Sequence, residues 1–344
     1  MTERDFDVVQ KFYRWDGMHV GDMWIYDKGY LPTDFVKAVL TLYRDKTTLK
    51  GVDGKEMQYL FSKGLLNACY GMTVTDIIRD DNEYTDAHEW NERKVAEKTP
   101  EEIQEELERY NKGKKRFLFY PWGVWVTAHA RWNLFTGILE FGEDYVYSDT
   151  DSIKVRNYQA HKAYIDKYNA MVRQKLERAL AWHNRNGVKI PFDMVEPSTI
   201  KGEKKLLGVW DFDGHYSRFK TLGAKRYMVE YADSELNPPS VRGKINITVS
   251  GVNKKFAVPY LLEQYGRDGC FEAFDNYLYI PPEYTGKNTH TYIDDEIECD
   301  LVDYQGVVGH VHELSCTHLE AADYSLSMSV AYLNLLKGIR QVEM

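Results

Sequence analysis

The sequence has few cysteines and no pattern among them. Its four, Cys69, Cys270, Cys299 and Cys316, are scattered and form no C-x-x-C pair. That argues against a disulfide scaffold and for a reducing compartment. No run of about 18 apolar residues occurs, so no membrane-spanning helix is predicted. The opening Met1-Thr2-Glu3-Arg4-Asp5-Phe6-Asp7 has no signal-peptide character. A cytoplasmic chain without membrane partners is the expectation. No internal repeat or low-complexity tract is visible. Positive charge is also in short supply, with a net charge of −9. The imbalance is local, however. Residues 76–110 hold thirteen Asp/Glu against five Lys/Arg, whereas residues 201–227 hold seven Lys/Arg against three Asp/Glu. Phosphate contacts need a local basic segment and not a basic whole, so nucleic-acid binding is disfavoured but not excluded.

What is present suffices for a packed interior: 43% hydrophobic and 14% aromatic residues over 344 positions. A chain of this length predicts two or three subdomains. Residues 5–30 alternate loosely, and Phe12-Tyr13-Arg14-Trp15 and Met23-Trp24-Ile25-Tyr26 read as strands. Thr33 is placed to cap a helix bearing Phe35, Val39, Leu42 and Tyr43 on one face. A basic loop, Arg44 to Lys50, would lead to a second helix that Asp53 caps and Gly71 closes. From Met72 to Lys115 the chain turns acidic and reads as an inserted excursion, with a helix start at Thr99-Pro100-Glu101-Glu102. Pro121-Trp122-Gly123 reads as a turn, followed by a helix from Val124 to Leu139. A long amphipathic helix carries Ile165, Tyr168, Val172, Leu176 and Ala179. Leu206 to Trp210 reads as a strand, Phe219 to Val229 as a basic turn and strand, and Asn237-Pro238-Pro239 as a domain boundary. Beyond it a strand at Lys244–Val252, a helix over Val258–Asp275, a β-like stretch from Thr289 to Tyr304 and a terminal helix with Leu326, Val330, Leu333 and Leu336 on one face are expected.

Three constellations carry chemistry. Tyr145 to Val155 reads as a β-hairpin whose polar tip presents Asp149 and Asp151, one residue apart. Carboxylates so close repel unless a cation neutralises them, and Mg²⁺ favours carboxylate oxygen. Lys63, Asn67 and Tyr70, spaced by four and seven, stack on one helix face. A cation, an amide and a ring in a column suit a triphosphate, a sugar and a base. Lys225 and Tyr227 in a β-like run would share a strand face. Taken singly, each has a bland alternative: a solvated turn, a half-exposed helix with a snorkelling lysine, a surface strand. A fourth cluster, His310, His312, Cys316 and His318, has zinc-ligand types at a spacing that matches no common zinc module.

Taken in order, the three constellations resemble the family B DNA polymerases, especially the protein-primed branch of bacteriophages, linear plasmids and adenoviruses. Lys63-Gly64-Leu65-Leu66-Asn67-Ala68-Cys69-Tyr70-Gly71 is similar to the fingers motif, with Ala68 where serine is common. Tyr147-Ser148-Asp149-Thr150-Asp151-Ser152 is similar to the palm motif that binds catalytic metals. Lys225-Arg226-Tyr227 resembles the motif that steadies the primer strand, and Thr127-Ala128-His129-Ala130-Arg131 a palm-helix segment. The resemblance implies an α+β right-hand fold: palm edge strands at 1–30, a fingers helical hairpin at 31–71, an inserted excursion at 72–115, a palm core at 116–236, a thumb at 240–290 and an extension at 291–344. It implies DNA-directed DNA synthesis, with Asp149 and Asp151 catalytic on Mg²⁺ or Mn²⁺. Lys63, Asn67 and Tyr70 would sit on the dNTP, and Lys225 and Tyr227 on the primer strand of a primer–template. A phage- or plasmid-encoded protein of a bacterial cytoplasm is implied as well.

One departure bears on mechanism. The family's upstream Asp-x2-Ser-Leu-Tyr-Pro motif does not occur. Asp27-Lys28-Gly29-Tyr30-Leu31-Pro32 imitates it, but without the serine and with an acid-to-Pro spacing of five instead of six. The exonuclease domain that the resemblance implies further upstream is not expected within these residues. Two-metal catalysis needs a carboxylate on each side of the pair, so a second polypeptide supplying that aspartate and the exonuclease is expected, and a terminal protein is a further candidate partner. The alternative expectation is a non-catalytic primer–template binding remnant.

Overall fold

The computed structural model describes residues 1–14, 16–84, 90–113, 119–185, 187, 189–232, 243–295, 299–302, 308–311 and 314–342. It is α+β, with long helices and small antiparallel sheets. The chain divides into two compact units, Met1–Asp211 and Phe212–Met344. Among the described residues no helix is long and apolar enough to cross a membrane. The division falls earlier than Asn237-Pro238-Pro239, which lies outside the described residues.

The first unit opens with a helix where strands were expected. Helix α1 (Glu3–Phe12) starts in a capping box in which Thr2 and Asp5 satisfy each other's backbone N–H. Phe6, Val9 and Phe12 recur at helical spacing, and the helix packs on α5 (Tyr120–Phe141) through a Phe12–Phe135 edge contact at 5.0 Å, the Arg4 guanidinium over the Trp132 ring and an Asp5–Arg131 ion pair. Residues 17–32 then run without regular structure. Met23-Trp24-Ile25-Tyr26 finds no strand partner, and Trp24 and Ile25 are 82% and 86% exposed.

Helices α2 (Thr33–Thr48) and α3 (Glu56–Gly71) pack against each other. Pro32, not Thr33, holds the cap position of α2, and Arg44 to Thr48 extend that helix instead of forming a loop. The cap of α3 is Lys55, not Asp53. On α2 the deepest residue is Leu40, which with Val36 joins a core of Leu180, Ile190, Met194 and Val195. The acidic excursion contains a hairpin of β1 (Asp81–Tyr84) and β2 (Trp90–Arg93), then α4 (Pro100–Lys112), which begins in the Thr99–Glu102 capping box anticipated from sequence. Lys98, its side chain 1% exposed, donates to Asp81 at 2.9 Å and Glu106 at 2.8 Å and so ties hairpin to helix.

Helix α5 is the spine of this unit. Pro121-Trp122-Gly123 is its first turn and not a loop, since proline suits the first helical positions. At its start, Gly123 lies so close to the turn after α3 that a Cβ would be 2.4 Å from Val74 Cγ1 and 2.5 Å from Thr73 Oγ1. At Gly137 a Cβ would be 2.9 Å from Ile153 Cδ1, which belongs to β4 (Ser152–Val155), paired with β3 (Tyr145–Asp149). Helix α6 (Tyr158–Arg185) follows. Leu206–Trp210 is not a strand. The Asn169 side chain on α6 exchanges two hydrogen bonds with Trp210, at 2.9 and 2.8 Å, and Leu207 N–H donates to the Val195 carbonyl. With these three backbone groups met, the segment drapes Leu206 and Leu207 onto the core.

The second unit is built on a three-stranded antiparallel sheet, β5 (Tyr216–Thr221), β6 (Arg226–Tyr231) and β7 (Ile245–Val249), in that order. Helix α7 (Lys254–Ala273) packs on β7, kinked at Gly266 where φ is +67°. Its core gathers Met228, Ile245, Ile247, Leu261, Phe271, Phe274 and Leu326. Leu326 is thus a core residue ahead of the terminal helix, not part of it. Small hairpin-like pairs follow: β8 (Tyr279–Ile280) with β13 (Tyr324–Ser325), β9 (Asn288–Asp295) with β12 (Leu314–Ala321), and β10 (Cys299–Val302) with β11 (Val308–Val311). Helix α8 (Pro282–Thr285) precedes β9, and α9 (Val330–Val342) ends the unit.

Candidate active site

The hairpin β3–β4 has the form the sequence suggested. Asp149 pairs with Ser152, leaving a two-residue turn of Thr150 and Asp151. Asp151 N–H donates to the Asp149 carbonyl at 2.6 Å, and Ser152 Oγ donates to the same carbonyl at 3.2 Å. Closing so short a turn drives Thr150 to φ +53°. A β-branched side chain in the left-handed region costs roughly 1–2 kcal/mol, and such residues concentrate where a geometry serves a purpose other than stability. The Thr150 hydroxyl donates to Asp149 Oδ1 at 2.9 Å and orients that carboxylate. Asp149 is half-buried and Asp151 exposed.

The base of the hairpin is clamped by residues that the motif reading missed. Asp144 accepts from the Asn157 amide at 2.8 Å and pairs with His161 Nε2 at 2.9 Å, while its carbonyl accepts Arg156 N–H at 2.8 Å. The His161 hydrogen bond holds the Asp144 carboxyl below the usual range. Tyr147 is buried, and Ile153 rests on Gly137 of α5. The two acids therefore stand on a strand pair fixed at its base and along one face.

Lys63, Asn67 and Tyr70 lie on α3, all exposed, and the helix keeps them in one column about two turns, roughly 10 Å, long. Tyr70 is near the end of α3, where its carbonyl accepts the Thr73 hydroxyl at 2.7 Å. That same Thr73 abuts Gly123. Helix α5 thus carries the end of α3 at Gly123 and the hairpin at Gly137, points about 21 Å apart along its axis.

Lys225 and Tyr227 belong to the second unit. The shared strand face expected for them does not hold. Lys225 is in the turn between β5 and β6, with φ +53°, and β6 begins at Arg226. Tyr227 stacks on Phe219 across the sheet at 5.4 Å. Of the candidate zinc ligands, His312 lies outside the described residues. His310 falls on β11, whereas Cys316 and His318 fall on β12, in a different strand pair.

Asp149 and Asp151 are the hard oxygen donors that Mg²⁺ takes when waters and substrate phosphates complete its octahedron. That donor set fits one side of a divalent-metal site. Among the described residues no three His, Cys, Asp or Glu gather into a group able to hold a metal by themselves. Comparison with protein-family models, with characterised proteins and with solved structures finds no match for this chain.

Proposed function

We propose that the chain is the palm, fingers and thumb portion of a family B-type DNA polymerase, completed by a polypeptide that supplies a further aspartate. The observation that carries this is the acidic hairpin tip: two carboxylates flanking a left-handed Thr150, on a hairpin clamped by Asp144 and seated on the helix that also holds the end of α3. A solvated surface turn has no need of that support.

In this reading Asp149 and Asp151 hold the divalent ions, which when bound activate the primer 3′-hydroxyl and offset charge on the phosphates. Lys63 meets the phosphates of the incoming dNTP as a mobile point charge. Tyr70 packs its ring under the sugar, and Asn67, one turn before it, fixes a sugar or backbone group. Lys225 and Tyr227 steady the primer strand. The fingers would be α2 and α3, and the thumb would draw on α7.

A second reading, a primer–template binding remnant without catalysis, rests on Asp149 and Asp151 having no third His, Cys, Asp or Glu grouped with them among the described residues. Primer extension with Mg²⁺ and four dNTPs separates the two. Alone, the chain is expected to extend poorly. With a polypeptide bearing the Asp-x2-Ser-Leu-Tyr-Pro motif it is expected to extend, and Asp151→Ala should then cut the rate by at least about a hundredfold, the scale for losing a preorganised electrostatic group. Lys63→Ala should mainly raise the KM for dNTP. Undiminished synthesis by Asp151→Ala would refute the assignment, and no synthesis with any such partner would leave the remnant.

A further inference from the structure

Helix α6 has a face that nothing in the proposed chemistry uses. The helix carries six Lys/Arg against two Asp/Glu in a chain whose net charge is −9. Two of the cations are committed: Lys162 pairs with Asp166 and Arg173 with Glu196. The other four, Lys167, Lys175, Arg178 and Arg185, are exposed, and among the described residues none enters an ion pair. At 3.6 residues per turn they fall within a sector of roughly 80°, opposite the buried Ile165, Leu180 and His183. They form a stripe about 27 Å long in which the helix itself places no carboxylate. Near its end Trp182 stacks on Tyr30 at 4.7 Å with planes 28° apart. Both rings stay open to solvent, 40% and 48% exposed.

Four exposed cations along one helix face present a local positive potential that a polyanion would meet. A duplex would need only the cations. An exposed pair of stacked rings beside them also offers a platform for an unpaired base, and base–aromatic stacking tolerates any sequence. We infer that this face of α6 holds a single strand of nucleic acid, its phosphates on Lys167, Lys175, Arg178 and Arg185 and one base on the Tyr30–Trp182 pair. The surface shares no residue with the hairpin, and the inference holds whether or not the chain polymerises.

The test is fluorescence anisotropy with a labelled oligothymidylate of roughly 15 nucleotides, in EDTA and without dNTP so that catalysis plays no part. Four contacts on a single strand predict a slope of log K against log salt near −3, at about −0.7 per phosphate. Changing all four cations to alanine should weaken binding at least about tenfold and flatten that slope, whereas Lys162→Ala, off the stripe, should leave both as they are. An unchanged affinity in the fourfold variant would overturn the inference, as would tighter binding of a blunt duplex than of the single strand. It would equally fail if the substitutions altered sedimentation and not oligonucleotide binding, because the face would then be holding acidic residues 76–110 of a second copy.

Discussion

Glu102 concentrates at one residue what the acidic segment does throughout. It accepts two hydrogen bonds from Arg93, at 2.8 and 2.7 Å, and one from the Thr99 N–H at 2.8 Å. Arg93 first, then the Thr99 amide, lower its pKa from the ordinary 4.5 to about 2. A carboxylate depressed on folding adds stability that is fully present above pH 4.5 and is lost as pH falls towards 2. The pair is exposed, so added salt should shrink the effect. A carboxyl-carbon NMR titration is expected to place the Glu102 midpoint near 2 and to move it upward in Arg93→Ala; a midpoint unmoved by that substitution would detach the shift from the pair. Legibility at this scale was uneven. The Thr99–Glu102 box is a local four-residue pattern and stood out in the sequence. The clamp of Asp144 by Asn157 and His161 spans 13 and 17 residues and joins three side chains that carry no motif. The left-handed Thr150 was likewise hidden, because β-branched residues are poor candidates for that conformation.

Among the elements, α5 does the positioning, and its two close contacts are where substitution should tell. Gly123→Ala would put a methyl 2.4 Å from Val74 Cγ1 and 2.5 Å from the Thr73 oxygen. Thr73 is buried and bonded to the Tyr70 carbonyl, so relief requires shifting the turn that ends α3. Overpacking of this kind typically costs about 1–3 kcal/mol, and chemical denaturation of Gly123→Ala should show a loss in that range; an unchanged midpoint would mean that the turn yields freely. The sequence disclosed helices with caps or long periodic stripes, α2, α4 and α6, and it disclosed the acidic hairpin through its β-favouring flanks. It concealed α1, because Phe6, Val8 and Phe12 alternate loosely as in a strand while Phe6, Val9 and Phe12 keep helical spacing, so both periods fit so short a stretch. It concealed β1–β2 because Asp81–Tyr84 and Trp90–Arg93 are almost wholly polar. Leu206–Trp210 reads as a strand by composition, yet hydrogen bonds from Asn169, 41 residues earlier, take the place of a ladder.

On the scale of the molecule, each unit has its own core, one around Leu40 and Leu180, the other around Met228 and Leu261. Neither could be drawn from sequence, since residues such as Leu222 and Leu326 meet only through the fold. The first unit has a peculiarity of construction. Helix α1 is joined to α2 by residues 13–32, and from Gly17 to Gly29 the described chain makes no hydrogen bond that pins it. Yet α1 is itself held, by Phe12 on Phe135, Arg4 on Trp132 and Asp5 on Arg131. A protease should therefore cut first in this connection, with its exposed Met23, Trp24 and Ile25. The nicked product is expected to keep its N-terminal peptide through gel filtration, and prompt loss of that peptide would show the three contacts to be insufficient. Such a peptide is a ligand in waiting: added back in trans it would bind its own parent, so that covalent continuity and structural wholeness become separate properties of this chain.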